Sequence, residues 1–399
     1  TLLLIKVGVT SAVSRIPEAL ILISFLCGSL SNFETFKKST TFKFLLLAIT
    51  LPSLFFAINL FRDFDSALEF QSLDMFIKFF YFVPLAWFIG DSKKGLISAL
   101  ILYFLGLLVT IILDPNLQRT IDYLFGWKRV DFGIHNAAHG SMFFGIGVIF
   151  TLILMKHQIT NKTNIFTSIV LFTIFLLFSL GFLGTQTRGA ILSLAFVALF
   201  SLLMNLEKIR TTSKTRILTG TILMLFACYL MAPFVHPLTV RFTQTTNTIS
   251  SIIENGGESI PYSNSGIRLN YWLESIPWFY ERPLIGWGPG VRSEIIASSP
   301  NIPSEIKEEF THLHSGYFEI AVGYGSLGLL FTLAFFTYRL LVSYRYLKLG
   351  ILHHEITFYS LIYFLLLNFF ESFFFYWTGI FALALSLAPA YSQEINNRT

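Results

Sequence analysis

The chain has 399 residues, of which 54% are hydrophobic and only 13% charged, with 45 Phe among them. Charged residues make up about a quarter of an ordinary soluble domain, so this composition excludes a water-soluble globule and points to lipid as the solvent. The net charge of +5 does not indicate nucleic-acid binding, because Lys and Arg of membrane proteins gather in cytoplasmic loops and no basic run here interleaves with aromatics.

A membrane helix needs roughly 20 apolar residues. Spans are predicted over 15–31, 43–61, 72–90, 96–113, 136–156, 164–184, 188–205, 217–236, 314–342, 355–372 and 376–392, and residues 1–13 read as the end of a twelfth in front. The fold class is therefore an all-α polytopic membrane protein of about 11–12 helices, forming a single integral domain over 1–399. Cys27 and Cys228 both fall inside spans and read as core thiols.

Basic residues set the orientation. Lys37, Lys38 and Lys43, then Lys93 and Lys94, then Lys156 and Lys162, then Lys208, Arg210, Lys214 and Arg216, then Arg345 and Lys348, mark alternate connections, which are assigned to the cytoplasmic side. The outer face then receives 62–71, 114–135, the tight turn near 184–188, the long stretch 237–313 and the turn near 372–376. Loops as long as 237–313 are usually functional or carry structure of their own. Inside it Ile267, Leu269, Trp272, Leu273, Ile276 and Phe279 recur at helical spacing, which predicts an amphipathic helix over 266–282 at the membrane surface or against the bundle.

Ionisable residues at the outer ends of spans are costly near lipid and are therefore candidates for function. Arg188 closes Gly184-Thr185-Gln186-Thr187-Arg188-Gly189-Ala190 between two apolar spans; it is either a snorkelling cation or part of a polar notch. Arg268 follows Ser263-Asn264-Ser265-Gly266 near the start of the loop helix, where a guanidinium could hold a phosphate with two parallel hydrogen bonds or pair with Glu274. His314, in Thr311-His312-Leu313-His314-Ser315-Gly316, titrates in the range of a general base. His312 and His314 would not share a helix face at a spacing of two. With no Cys/His cluster at metal-ligand spacing, neither a metal nor a cofactor is expected. Arg129, Lys128, His135 and His139 are further candidates, and Glu371 could orient His314 or Arg188. The residues alone suggest an outer-face site rich in cations and suited to an anionic lipid substrate.

Three pieces of sequence resemble the O-antigen ligase and polymerase superfamily. His314-Ser315 is followed after nine residues by Gly325-Ser326-Leu327-Gly328, similar to the ligases' His motif and Gly-x-x-Gly at the start of a span. Thr185-Gln186-Thr187-Arg188-Gly189-Ala190 is similar to the family's arginine motif at an outer turn. Gly266-Ile267-Arg268-Leu269 with Pro283-Leu284-Ile285-Gly286-Trp287-Gly288 resembles its loop arginine and Pro-x-x-Gly-x-Gly turn. The resemblance implies a GT-C-like glycosyltransferase of the bacterial inner membrane with its site facing the periplasm. In that reading His314 is the catalytic base, Arg188 and Arg268 engage the donor diphosphate, Arg129 is an auxiliary cation, and Glu371 stands where relatives carry an acid. The implied partners are an undecaprenyl-diphosphate-linked glycan as donor and lipid A-core as acceptor, joined without a metal and with inversion. Polymerases and protein-glycosylating relatives share these motifs and remain alternatives. A transporter is a more distant one, since the span centres carry almost no charge and no half is repeated.

Overall fold

The structure is a computed structural model that describes residues 36–160, 165–205, 229, 232–254 and 260–396. The expected span 15–31, most of 217–236, the basic run 208–216, Lys162, Cys27, Cys228 and the lead segment 1–13 lie outside these residues. Among the described residues all regular structure is helical.

The first helices are α1 (Thr40–Arg62) and α2 (Phe64–Phe70), followed by a 3₁₀ turn (Ile77–Tyr81) that runs into α3 (Phe82–Ile89). The span expected over 72–90 thus begins only at Ile77. α4 (Lys93–Ile112) follows, then α5 (Leu117–Phe125), which folds inside what the sequence reads as the loop 114–135. Next come α6 (Ala137–Thr160), α7 (Ile165–Gly184) and α8 (Arg188–Met204). Five helices among the described residues are long and apolar enough to cross a membrane: α1, α4, α6, α7 and α13 (Gly316–Lys348). Shorter apolar helices cover Ile77–Ile89, α8 and α14 (Leu352–Leu367). α14 stops short of the expected 372 because Asn368 to Phe375 turn back into a 3₁₀ segment before α15 (Trp377–Asn396). α6 is the central helix: 89% of its apolar window is buried, against 22% for α1.

The stretch 237–313 is more helical than the sequence suggests. It holds α9 (Val235–Glu254), α10 (Asn264–Glu281), α11 (Val291–Ser298) and α12 (Ser304–Glu309). α10 occupies almost the expected range. Its start is fixed by Ser263, whose hydroxyl accepts from the Gly266 N–H at 3.2 Å, one of the donors a helix leaves unpaired at its first turn. Tyr271 of α10, Trp287, Val291, Ile295, Ile296, Leu313 and Val322 form a second hydrophobic core, distinct from the main one. The long outer segment is therefore anchored by its own apolar packing on α13.

The glycine motifs meet where α13 breaks. Gly325 takes φ 64° and ψ −167° inside the helix, a conformation that glycine reaches without a Cβ penalty. The break leaves backbone groups of α13 without helical partners, and the 283–288 turn supplies them. Trp287 and Gly288 donate to the carbonyls of Val322 and Gly323 at 3.0 and 2.8 Å, while Ser326 and Leu327 donate to those of Pro283 and Leu284 at 2.7 and 3.1 Å. An added Cβ on Gly325 would lie 2.3 Å from the Leu284 carbonyl carbon. The outer loop is thus stitched into the helix that follows His314.

The segments assigned to the outer face gather at one end of the bundle. The 62–71 connection bonds to the 282–290 turn through Gly290 N–H to Phe70 O at 2.8 Å and Arg282 to Asp63 at 3.0 Å. The 184–188 turn bonds to 127–137, and Gly316 donates to the carbonyl of Asn368 at 2.9 Å. At the other end Lys156 and His157 share Glu355, at 2.6 and 3.0 Å.

Candidate functional site

One cavity of about 270 Å³ lies at that end, and all five site residues expected from the sequence line it: Arg129, Arg188, Arg268, His314 and Glu371. Arg241, which the sequence reading did not single out, lines it too.

Each arginine is placed by backbone chemistry. The 184–188 turn is tight because Gln186 adopts φ 47° while its amide donates to Trp127 O at 2.8 Å. Val130 N–H reaches Gly184 O at 2.9 Å, and Arg129 Nε donates to Thr185 O at 3.3 Å. Arg188 opens α8, and its Nη1 donates to the carbonyl of Arg241 at 2.6 Å and to the Thr245 hydroxyl. It is therefore held in the notch and does not snorkel. Arg241 comes from α9. Arg268 comes from the first turns of α10, with its Nε buried and unpartnered; Glu274, the alternative partner, bonds instead with Asn301 at 2.8 Å.

Among the described residues none of the four guanidiniums forms a salt bridge. Arg129 is open to the cavity yet surrounded by protein; that burial, with the charges of Arg241, Arg268 and Arg188, lowers it to about 10 against the pull of Asp131. Burial and then Arg268 lower Arg241, and burial lowers Arg268 against the opposing charge of Glu371. Such a concentration of like charge is costly, and a bound anion would relieve it. Glu309 and Glu371 are the acids among the lining residues.

His314 lines the same cavity, just before α13, in the left-handed region at φ 54°. A non-glycine residue there costs of order 1–3 kcal/mol and persists only where surrounding structure imposes it. The carboxylate of Glu371 lies 3.2 and 3.3 Å from His314 Nδ1 and 3.1 Å from His312 Nε2. Burial lowers the His314 pKa, opposed by Glu371. Burial alone would raise Glu371, but hydrogen bonds from His312 and His314 outweigh it and hold the carboxyl well below its ordinary range. The pair is thus neutral imidazole and carboxylate. Since the carboxylate can only accept, Nδ1 carries the ring proton and Nε2 keeps its lone pair.

His312 and His314 are not helical, so their spacing of two does not make them diverge. Their ring centroids lie 4.1 Å apart, and His312, His314 and Glu371 bring three potential metal-ligand atoms within 4.8 Å of one another. Other candidates stay outside the cavity lining. His139 is buried in α6 against Thr378, His135 packs on His139 and Tyr376, and Lys128 lies over the Tyr123 ring.

Glu319 was missed as well. It is 1% exposed, accepts from Leu313 N–H at 2.9 Å and from the Ser372 hydroxyl, and pairs with Arg292 at 2.7 Å. It ties the His314 loop to the Glu371 loop. The available signal was a carboxylate one turn into an apolar span; for Arg241 it was a lone cation in the stretch after a span.

Residues 172–333 match the family model described as O-antigen ligase. The match, over less than half of the chain, supports membership of the O-antigen ligase/polymerase superfamily. No curated protein matches it. The matched segment contains Arg188, Arg241, Arg268 and His314, while Arg129 and Glu371 lie outside it and join the site by geometry. Membership in the superfamily indicates ligase- or polymerase-type function, with a lipid-linked glycan as donor and a glycan or lipid as acceptor.

Proposed function

We propose that this chain is an O-antigen ligase of the bacterial inner membrane, working at the periplasmic face. It transfers a glycan from undecaprenyl diphosphate to lipid A-core. The observation that carries the reading is the cavity in which four arginines without carboxylate partners face a neutral histidine backed by a carboxylate.

Nε2 of His314 takes the proton of an acceptor sugar hydroxyl. The hydroxyl oxygen bonds to the anomeric carbon as the bond from that carbon to the diphosphate oxygen breaks. The electron pair leaves on the diphosphate, where Arg188, Arg268, Arg241 and Arg129 stabilise the developing charge. Attack opposite the leaving group inverts the anomeric carbon. The guanidiniums supply the charge stabilisation that a divalent ion would otherwise provide, so the step needs no metal. Glu371 fixes the tautomer of His314 and offsets its positive charge after proton transfer.

The test is a lipopolysaccharide gel from two hosts, one lacking its ligase and one lacking its polymerase, each expressing this chain or its His314→Ala form with a compatible donor and core. A ladder on lipid A-core in the ligase-deficient host alone, lost with His314→Ala, is the expected result. Rescue in the polymerase-deficient host alone would move the acceptor to a second lipid-linked glycan.

A further inference from the structure

The transfer step gives His312 no role, yet its ring is held against the same carboxylate as the base. Glu371 Oε1 lies 3.1 Å from His312 Nε2 and 3.2 Å from His314 Nδ1. Its position is fixed by the Ser372 N–H, which donates to the same oxygen at 3.1 Å. Two imidazoles and one carboxylate are a zinc donor set that leaves a fourth position open. Zinc bonds of about 2.0–2.1 Å in a tetrahedron put neighbouring ligand atoms about 3.3 Å apart. Two of the three ligand-to-ligand edges here already have that length, and the third is no longer than 4.8 Å. The rings are also held from behind: Phe310 stands edge-on to His314 at 5.1 Å, and Tyr376 edge-on to His312 at 5.5 Å.

We propose that His312, His314 and Glu371 form a binding site for a zinc-type divalent cation, and that the bound ion inhibits the enzyme by occupying Nδ1 of the base. Coordination takes the Nδ1 lone pair of His314, and the ring proton moves to Nε2. His312 makes the same exchange, binding through Nε2 with its proton on Nδ1. Both rings stay neutral and no proton is lost. His314 Nε2, however, becomes a donor and can no longer accept the proton of the acceptor hydroxyl.

The surrounding charge sets which ions can bind. Arg129, Arg188, Arg241 and Arg268 line the cavity, with Glu371 and Glu309 as the lining acids, so a dication meets a net repulsive field. Hard ions such as Mg²⁺ and Ca²⁺, which depend on oxygen ligands and electrostatics, are rejected. Zinc is accepted through nitrogen donation, which imidazole supplies. The inhibition rests on His314 being the base; the binding does not.

The experiment uses the full chain, free of any histidine tag, in nanodiscs. It is dialysed against zinc chloride or magnesium chloride, followed by metal analysis and a transfer assay with and without chelator. Expected are one zinc and no magnesium retained per chain, and transfer that falls in step with zinc occupancy and returns on chelation. His312→Ala should weaken zinc retention beyond the ~10–100-fold that loss of a hydrogen-bond partner behind a ligand costs. Helix content by circular dichroism identifies any misfolded variant, and His312→Gln serves as the alternative. Folded wild-type protein that retains no zinc, or retains it equally as His312→Ala and His312→Gln, overturns the site. Bound zinc with unchanged or faster transfer overturns the inhibition. Absence of transfer under every condition counts against the ligase reading and leaves the retention result to decide the site.

Discussion

The two carboxylate oxygens of Glu371 straddle Nδ1 of His314, at 3.2 and 3.3 Å, although 57 residues separate the two in sequence. The contact does for the histidine what burial cannot: it selects one tautomer. If that is its role, His314→Ala lowers kcat by the ~10²–10⁴-fold typical of a lost general base. Glu371→Gln lowers it as well, and the double variant is little worse than His314→Ala alone, because residues acting as a unit are not additive. Additive losses in a purified transfer assay would separate Glu371 from the base.

The pH dependence follows from the same pair. Burial lowers His314 and Glu371 opposes that shift without cancelling it. The imidazole therefore stays unprotonated below its ordinary value of about 6.5. The acid limb of kcat/KM, measured with a chelator present, should lie below that pH. In Glu371→Gln the opposing charge is gone, and the limb should move further towards acid. A limb at or above the ordinary imidazole value, or a shift towards alkaline pH in the variant, would contradict the assignment.

Arg241 tests the proposed anion site. Its carbonyl, not its side chain, receives Arg188, and its guanidinium faces Arg268 without a carboxylate partner. Arg241→Gln removes one repelling charge and leaves that carbonyl in place. Unliganded protein should then unfold at an equal or higher temperature, while its affinity for inorganic pyrophosphate falls and transfer drops by about 10²-fold, as for one lost stabilising donor. Pyrophosphate should also raise the Tm of the wild type more than that of the variant, since binding stabilises only the state that binds. A lowered Tm with unchanged pyrophosphate binding would make Arg241 a structural residue.

Much of this site could be read from the chain. Arg188 and Arg268 stand out because a cation at the end of an apolar segment needs a reason to be there, and the His314 motif carries its own spacing. Three things could not be read. The convergence of His312 and His314 depends on a left-handed residue at 314, which side-chain identity does not announce. Arg241 reaches the cavity only because α9 folds back over α8, a tertiary fact. Gly325 marks a flexible position in the sequence, but the 283–288 turn that completes the broken helix lies about 40 residues earlier. The expected start at 72 went astray for a simpler reason. Apolar content signals burial, and it does not say which residues of a run are helical.

The break at Gly325 should be as important to stability as the site is to activity. Gly325→Ala places a Cβ 2.3 Å from the Leu284 carbonyl carbon and 2.5 Å from Ile285 N, both backbone atoms that cannot swing aside. The left-handed conformation alone costs about 1–3 kcal/mol in a residue with a side chain, and the clash adds to it. Tm should fall clearly and transfer with it. Gly350→Ala is the control, since its φ is also positive but nothing lies within 4 Å of an added Cβ. Equal effects of the two would mean that the stitched turn contributes nothing of its own to stability.

Glu319 is a positioning residue, and its effect should reach the chemistry through geometry alone. It does not line the cavity, yet it accepts from Leu313 N–H at 2.9 Å and pairs with Arg292 at 2.7 Å, while also receiving the Ser372 hydroxyl. Glu319→Gln keeps the size and one acceptor oxygen but loses the charge facing Arg292. Leaving that cation beside a neutral amide should cost stability as well, by the ~1–3 kcal/mol of a buried group left unsatisfied. The decisive readout is kinetic. The variant should lose kcat with little change in KM for the donor, because the arginines are untouched while His314 and Glu371 drift apart. Glu319→Asp should recover less than wild-type rate, since the shorter side chain cannot span both loops. A rise in KM with kcat preserved would mean that Glu319 shapes donor binding instead, and the link between the two loops would carry no catalytic weight.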